Sequence, residues 1–287
     1  MGEIVEAARA ENVDFIIQCG DLCHNAPTAP ELDIFLHNRY GIRTFNCIGN
    51  HEVEDADSLK DVCLAYSMEN NYELYDIGGF RVIILDTNYY MDETGVVRHQ
   101  PPRTHSCENA DRLGEAQLAW LEHVIAEAGK PCLLFSHATF ESDLGSPDAA
   151  AVRGIIARAN ARRGGSVLMC CNGHYHTNSL RFVENVAYFN VNAAFNVCWA
   201  PKENPLLPEA FKRSARMAGN CCFTKEPLYA IVTVTDHGQI TIKGRESEYL
   251  FGATPEEAGM VIPDDLGRTP EPRILSAEIQ IENTEYS

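Results

Sequence analysis

Apolar residues in this chain gather in short continuous runs, and these alternate with stretches whose apolar positions recur about every 3.6 residues. Four runs stand out: Asp14 to Cys19, Thr44 to Ile48, Pro131 to Phe135 and Ser166 to Cys171. Consecutive apolar residues, as in Phe15-Ile16-Ile17, predict strands buried on both faces. Between them the spacing predicts helices. Residues 3–12 place Ile4, Ala7 and Ala8 on one face behind an acidic start, which suits the helix dipole. Pro30 can open a helix over Glu31 to Tyr40 and Gly41 can stop it. Further helices are predicted over Asp57 to Tyr66, Leu113 to Ala128 and Pro147 to Arg162. In the helix over Leu113 to Ala128, Leu118, Leu121, Val124 and Ile125 form one stripe and Gly129 ends it.

Tyr72 to Ile77 and Arg81 to Asp86 read as a hairpin around Gly78-Gly79. After residue 176 hairpins replace the alternation: Leu180 to Val183 with Val186 to Val191, then Tyr229 to Thr235 with Gln239 to Lys243. Residues 88–112 and Ala200 to Pro227 are predicted to be irregular, and a loop as long as the first calls for a functional reason or is mobile. From Glu246 onward the chain is acidic and interrupted by prolines, a surface tail in which Ile274 to Ile281 alternates well enough for an edge strand. Alternation followed by hairpins implies an α/β fold: two mixed sheets packed as a sandwich, helices outside, one domain over 1–245 and a tail over 246–287.

The chain has 287 residues with 45% hydrophobic content, enough for one substantial core. Its net charge of −18 repels polyanions, so long nucleic acids are not expected as partners, although short oligonucleotides remain open. No apolar run approaches the roughly 20 residues of a membrane span. No signal-peptide pattern opens the sequence, and the chain reads as cytoplasmic. Eleven cysteines without a CxxC pair, several inside predicted strands, read as buried reduced thiols.

Candidate chemistry collects where the four apolar runs end. Gly20-Asp21 follows the first, Gly49-Asn50-His51-Glu52 the second, Ser136-His137 the third and Gly173-His174-Tyr175-His176 the fourth. Any one of these alone reads equally well as a turn. Together Asp21, Asn50, His137, His174 and His176 form a set of oxygen and nitrogen donors without cysteine, which suits Mn, Fe or Zn better than a thiolate-rich structural zinc site. His24 and Asn25 follow Asp21 closely and are candidates to line its pocket; His99 and His105 in the long loop are candidates to reach substrate. A solvated loop explains the last two as well.

In order and context these motifs resemble the calcineurin-like metallophosphoesterase superfamily, whose pattern is Asp-x-His, Gly-Asp, Gly-Asn-His, a lone His and Gly-His-x-His. The resemblance covers about residues 1–245. Leu113 to Leu121 is also similar to a helix of the cyclic-nucleotide phosphodiesterase and purple acid phosphatase branch, although an amphipathic helix with a core Trp accounts for it too. The resemblance implies a four-layer fold and hydrolysis of a phosphate mono- or diester of a small soluble substrate. It implies that Asp21 bridges two metal ions, that Asn50, His137 and His174 complete one site, that His176 belongs to the other, and that His51 aids the leaving group.

One element of the pattern is absent. No Asp-x-His precedes Asp21, so the chain reads as lacking the family's first strand and the second metal site as short of ligands. A start that omits the strand, a one-metal enzyme, and a metal-binding but catalytically impaired scaffold or regulatory protein all fit. Without that strand, neighbouring edges need cover from the C-terminal strand or from a partner chain in an oligomer.

Overall fold

Three runs, Cys132–Phe135, Val167–Asn172 and Val186–Asn190, are buried at every residue, which requires cover on both faces of the sheet that holds them. The structure, a computed structural model, describes residues 2–22, 41–54, 56–104, 107–142, 145–214, 217–263 and 267–282. The helix expected over Glu31 to Tyr40 and the candidates His24, Asn25 and His105 lie outside the described residues.

The first half contains α1 (Gly2–Ala10), β1 (Phe15–Gln18), β2 (Arg43–Asn46), α2 (Asn50–Glu54), α3 (Leu59–Ala65), β3 (Glu73–Ile77), β4 (Phe80–Ile84), β5 (Tyr89–Met91), β6 (Val97–His99) and α4 (Glu115–Ala126). Then come β7 (Cys132–Phe135), α5 (Ala149–Arg162), β8 (Val167–Asn172), β9 (Ser179–Val183), β10 (Val186–Asn190), β11 (Asn196–Trp199), α6 (Glu209–Lys212) and β12 (Cys221–Phe223). Three strands close the chain: β13 (Ala230–Val234), β14 (Gln239–Gly244) and β15 (Ala277–Gln280).

The main sheet has the order β3-β4-β7-β8-β10-β9, with the four central strands parallel and an antiparallel hairpin strand at each edge. Successive residues of a strand point to opposite faces, so each central strand feeds two cores. Ile83, Leu134, Cys170 and Tyr188 pack against Leu121 and Ile125 of α4 and Val152 and Ile155 of α5. Val82, Ile84, Leu133, Phe135 and Phe189 join a second core with Phe45, Cys47, Ile48, Ile240, Ile242 and Ile279.

The second sheet of the sandwich takes the form of two ladders on that second core, the parallel pair β1–β2 and the antiparallel β13–β14–β15. Beyond residue 245, where a surface tail is expected, Ala253, Ala258, Ile274 and Ile281 are buried, and β15 is the edge strand within 274–281. Two stretches expected to be irregular carry short pairs: β5 with β6 inside 88–112, and β12 of 200–227 with β11. Strands of three residues are too short for an alternating pattern to show in sequence. Among the described residues no helix is long and apolar enough to cross a membrane.

What positions the site is the shared direction of neighbouring strands. β1 and β2 run parallel, and so do β7 and β8. Each pair therefore delivers its carboxyl ends, with the motifs that follow them, to one edge, the usual location of ligands in parallel sheets.

Candidate metal centre

Leaving β1, the chain turns at Gly20 and Asp21 with φ of 95° and 58°. A Cβ on Gly20 would lie 2.2 Å from Nδ1 of His137, so only glycine allows this approach. His137, almost fully buried at the end of β7, places its Nδ1 2.7 Å from the carbonyl oxygen of Cys19. Donation there fixes the tautomer and turns Nε2 outward, 3.1 Å from Oδ2 of Asp21 and 3.1 Å from Oδ1 of Asn50.

After β2 the backbone enters α2 directly, where the sequence suggests only a turn. Oε2 of Glu52 accepts the Gly49 N–H at 2.7 Å, the reach of a third-position glutamate back to a helix start. The same oxygen accepts the Asp21 N–H at 2.9 Å, and its other oxygen takes the Tyr66 hydroxyl at 2.8 Å. Buried Glu52 thus ties the Asp21 and Asn50 loops together. One turn on, Oε1 of Glu54 accepts Nδ2 of Asn50 at 2.9 Å, which aims Oδ1 at the cluster. Oε2 of Glu54 lies 2.9 Å from Nδ1 of His51, whose Nε2 stands 3.9 Å from Asp21.

His174 and His176 follow β8, both with left-handed φ, 65° and 49°. Such conformations in non-glycine residues cluster at functional sites. Nδ1 of His174 is 2.9 Å from Nε2 of His137, and its Nε2 is 3.8 Å from Oδ2 of Asp111. The Nδ1 of His176 is buried with no hydrogen-bond partner among the described residues.

Burial works against the charge of Asp21, but His137 and His51 beside it outweigh that and hold the carboxyl well below its usual range. Burial also opposes the His137 imidazolium, yet Asp21 and the Cys19 carbonyl push its pKa up to about 9. His174 is driven the other way, to about 3, by burial and by the His137 charge. Burial, with His137 nearby, lowers His176, and burial raises Asp111. The cluster is a negative carboxylate facing imidazole nitrogens that a proton serves unevenly. A cation suits all of these lone pairs at once, since donor atoms of Asp21, His137 and His174 lie within 4.8 Å of one another. These donors, with the Asn50 oxygen and the orphaned His176 nitrogen, fit a transition metal.

The structure therefore brings Asp21, Asn50, His137 and His174 to one point. His51 and His176 line the same cavity of about 420 Å³. His99 is elsewhere, with its Nε2 2.9 Å from buried Asp86 and its ring 5.0 Å from that of Tyr89. There it pairs with a core carboxylate and is not among the residues that line the cavity. Glu52, Glu54 and Asp111 were not singled out from sequence. The first two carry a legible signal, their spacing of three from Gly49 and His51. Asp111 carries none, because it meets His174 only through the fold. Trp199, Met260, Pro270 and Arg268 also line the cavity, with the guanidinium 5.6 Å over the ring of Tyr175.

A family model described as calcineurin-like phosphoesterase matches residues 1–178. A dimetal phosphatase from Danio rerio superposes with a TM-score of 0.52 at 15% identity, over 85% of this chain and 84% of that one. GAP50, the anchor in the inner membrane complex of Plasmodium, superposes at 0.55 and 11% identity, over 98% and 83%. At these identities the likeness is one of fold. No curated protein matches the sequence.

Proposed function

Because the chain belongs to the calcineurin-like phosphoesterase family, we propose that it is a metal-dependent hydrolase of a phosphate mono- or diester of a small soluble compound. The observation that carries this reading is the convergence of Asp21, Asn50, His137 and His174 on one point beside His51.

In this reading Asp21, Asn50, His137 and His174 hold one metal ion, and Asp21 and His176 contribute to a second. Mn, Fe or Zn bound there supplies a Lewis acid for the phosphoryl oxygens and acidifies the attacking water. The chain's own groups do the rest. Glu54 accepts a hydrogen bond from Nδ1–H of His51 and orients the ring, leaving Nε2 turned toward Asp21 and the cavity. In the imidazolium form its Nε2–H donates a proton or a hydrogen bond to the oxygen that leaves phosphorus, and the ring keeps the Nδ1–H held by Glu54. The same carboxylate fixes the Asn50 amide, so one buried group sets both the binding and the leaving side. The ten described cysteines are unpaired thiols, which supports a reducing compartment such as the cytoplasm. The charge of −18 favours a small ester over a long nucleic acid.

A second reading is a metal-binding scaffold without turnover. It is favoured by the single three-residue metal cluster among the described residues, with His176 outside it. The deciding experiment is hydrolysis of p-nitrophenyl phosphate and bis-p-nitrophenyl phosphate with added manganese, alongside metal content by mass spectrometry. Turnover that Asn50→Ala abolishes, with about two ions per chain, supports the enzyme. Bound metal without turnover of either ester establishes the scaffold.

A further inference from the structure

The lining of the cavity comes from different parts of the chain. Asp21, Asn50, His51, His174 and His176 all lie in the region the family shares, residues 1–178. Trp199, Met260, Arg268 and Pro270, which line the same cavity, lie beyond it. Residues within the matched region for the reaction and residues beyond it for substrate choice is the division expected of such a cavity.

Trp199 is the unusual member of this second part of the cavity wall. It ends β11, where Val197 and Cys198 are buried, yet 41% of its own surface is exposed. Its backbone is fixed by pairing with Cys221 and by the Ala200 N–H donating to the Asn220 carbonyl at 2.7 Å. Trp199 is therefore held on a rigid strand end and lines the same cavity as Asp21, Asn50 and His174. Met260 and Pro270 add apolar residues to the same lining. The space is also larger than a phosphate needs: about 420 Å³ falls in the range of pockets that enclose a whole organic ligand, about 300–1,000 Å³.

Resting on the phosphoesterase reading, we propose that this wall selects esters carrying a planar aromatic or heteroaromatic group, which stacks on Trp199 while the phosphoryl group sits at Asn50 and His51. An indole face offers the same attraction to any flat ring and little to a hydrated aliphatic chain. Selection is then for ring against chain.

The test compares kcat/KM for phenyl phosphate and glycerol phosphate, and for the corresponding diesters, in the wild type, Trp199→Ala and Trp199→Phe. Comparing variants on one substrate pair cancels the intrinsic reactivity of the esters. Trp199→Ala is expected to lower the aromatic-to-aliphatic ratio about tenfold, the lower part of the range for ring stacking, and Trp199→Phe to restore most of it. A second readout is independent of turnover: phenylphosphonate, but not methylphosphonate, is expected to quench the Trp199 fluorescence, with Trp199→Phe as the blank. Unchanged ratios in a wild type that hydrolyses both classes overturn the aromatic wall and leave the phosphoesterase standing. Selective quenching without turnover of any ester does the reverse. Equal quenching by both phosphonates overturns the wall whatever the turnover.

Discussion

Oε2 of Glu54 lies 2.9 Å from Nδ1 of His51, one helical turn back on α2, and the carboxylate is almost fully buried. A buried carboxylate in that place fixes which imidazole nitrogen meets the cavity, since only Nδ1–H satisfies it. Glu54→Gln keeps the shape and keeps an oxygen for Asn50, but presents an amide to His51. The expected outcome is a fall in kcat of about 10- to 100-fold with metal content unchanged. His51→Ala is expected to cost more, about 10²- to 10⁴-fold. Equal kcat in Glu54→Gln and the wild type removes Glu54 as a positioning residue.

The 3.8 Å approach of Asp111 to Nε2 of His174 has a similar logic on the metal side. With Nδ1 of His174 facing His137, a carboxylate near the other nitrogen favours the tautomer whose Nδ1 lone pair is available. The loop is anchored by Arg112, paired with Asp148 at 2.7 Å. Asp111→Asn is expected to weaken metal affinity about 10- to 100-fold, read by titration against a competing chelator. Wild-type affinity in that variant would assign Asp111 to loop structure alone.

What could be read ahead of the structure follows from how local each determinant is. Asp21, Asn50, His137 and His174 each close an apolar run, so a few neighbouring residues announce both the strand and its end. Glu54 was within reach, because reading residues 50–54 as a helix puts it beside both Asn50 and His51. His99 was not: its partner Asp86 is 13 residues away and they meet only when β6 folds back along β5. Trp199 faces the cavity because β11 is held by β12, more than 20 residues later. A long loop and an irregular stretch hid both pairings.

The His99–Asp86 pair is expected to carry stability rather than turnover. Burial raises the cost of the Asp86 charge, yet His99, Asn71 and the Asn88 N–H hold its carboxyl below the ordinary value. Burial opposes the His99 charge too, and Asp86 more than offsets it, so His99 titrates above its ordinary value. A raised histidine gives stability that is full below its unfolded pKa of about 6.5 and is lost as pH rises through the folded value. A depressed aspartate gives stability present above about 3.9 and lost as pH falls through its folded value. The pair therefore supports the fold most between these limits. Removing one partner of a buried pair strands the other, so His99→Ala is expected to cost about 3 kcal/mol in urea unfolding. The wild-type thermal midpoint should also decline above pH 6.5 more steeply than that of His99→Ala. Parallel pH profiles for the two proteins would show that the pair does not titrate in the folded state as described.

A second tight constraint on the centre, beside that at Gly20, is the missing side chain of Gly49. A Cβ on Gly49 would lie 2.2 Å from Oδ1 and 2.4 Å from the backbone nitrogen of Asp21, distances no folded protein accommodates without movement. Asp21 is the group that must give way, and with it go the His51 N–H bond to Oδ1 at 3.0 Å and its own N–H bond to Glu52. Gly49→Ala is thus expected to lose metal binding while retaining the fold, at a stability cost of about 1–3 kcal/mol from overpacking. Gly79, in the β3–β4 turn, has nothing within 4 Å of the equivalent position, so Gly79→Ala serves as the control with wild-type metal content. Metal analysis and circular dichroism on the two variants separate a local clash from general damage, and a Gly49→Ala protein that binds metal normally would mean that Asp21 does not sit where its ligand role requires.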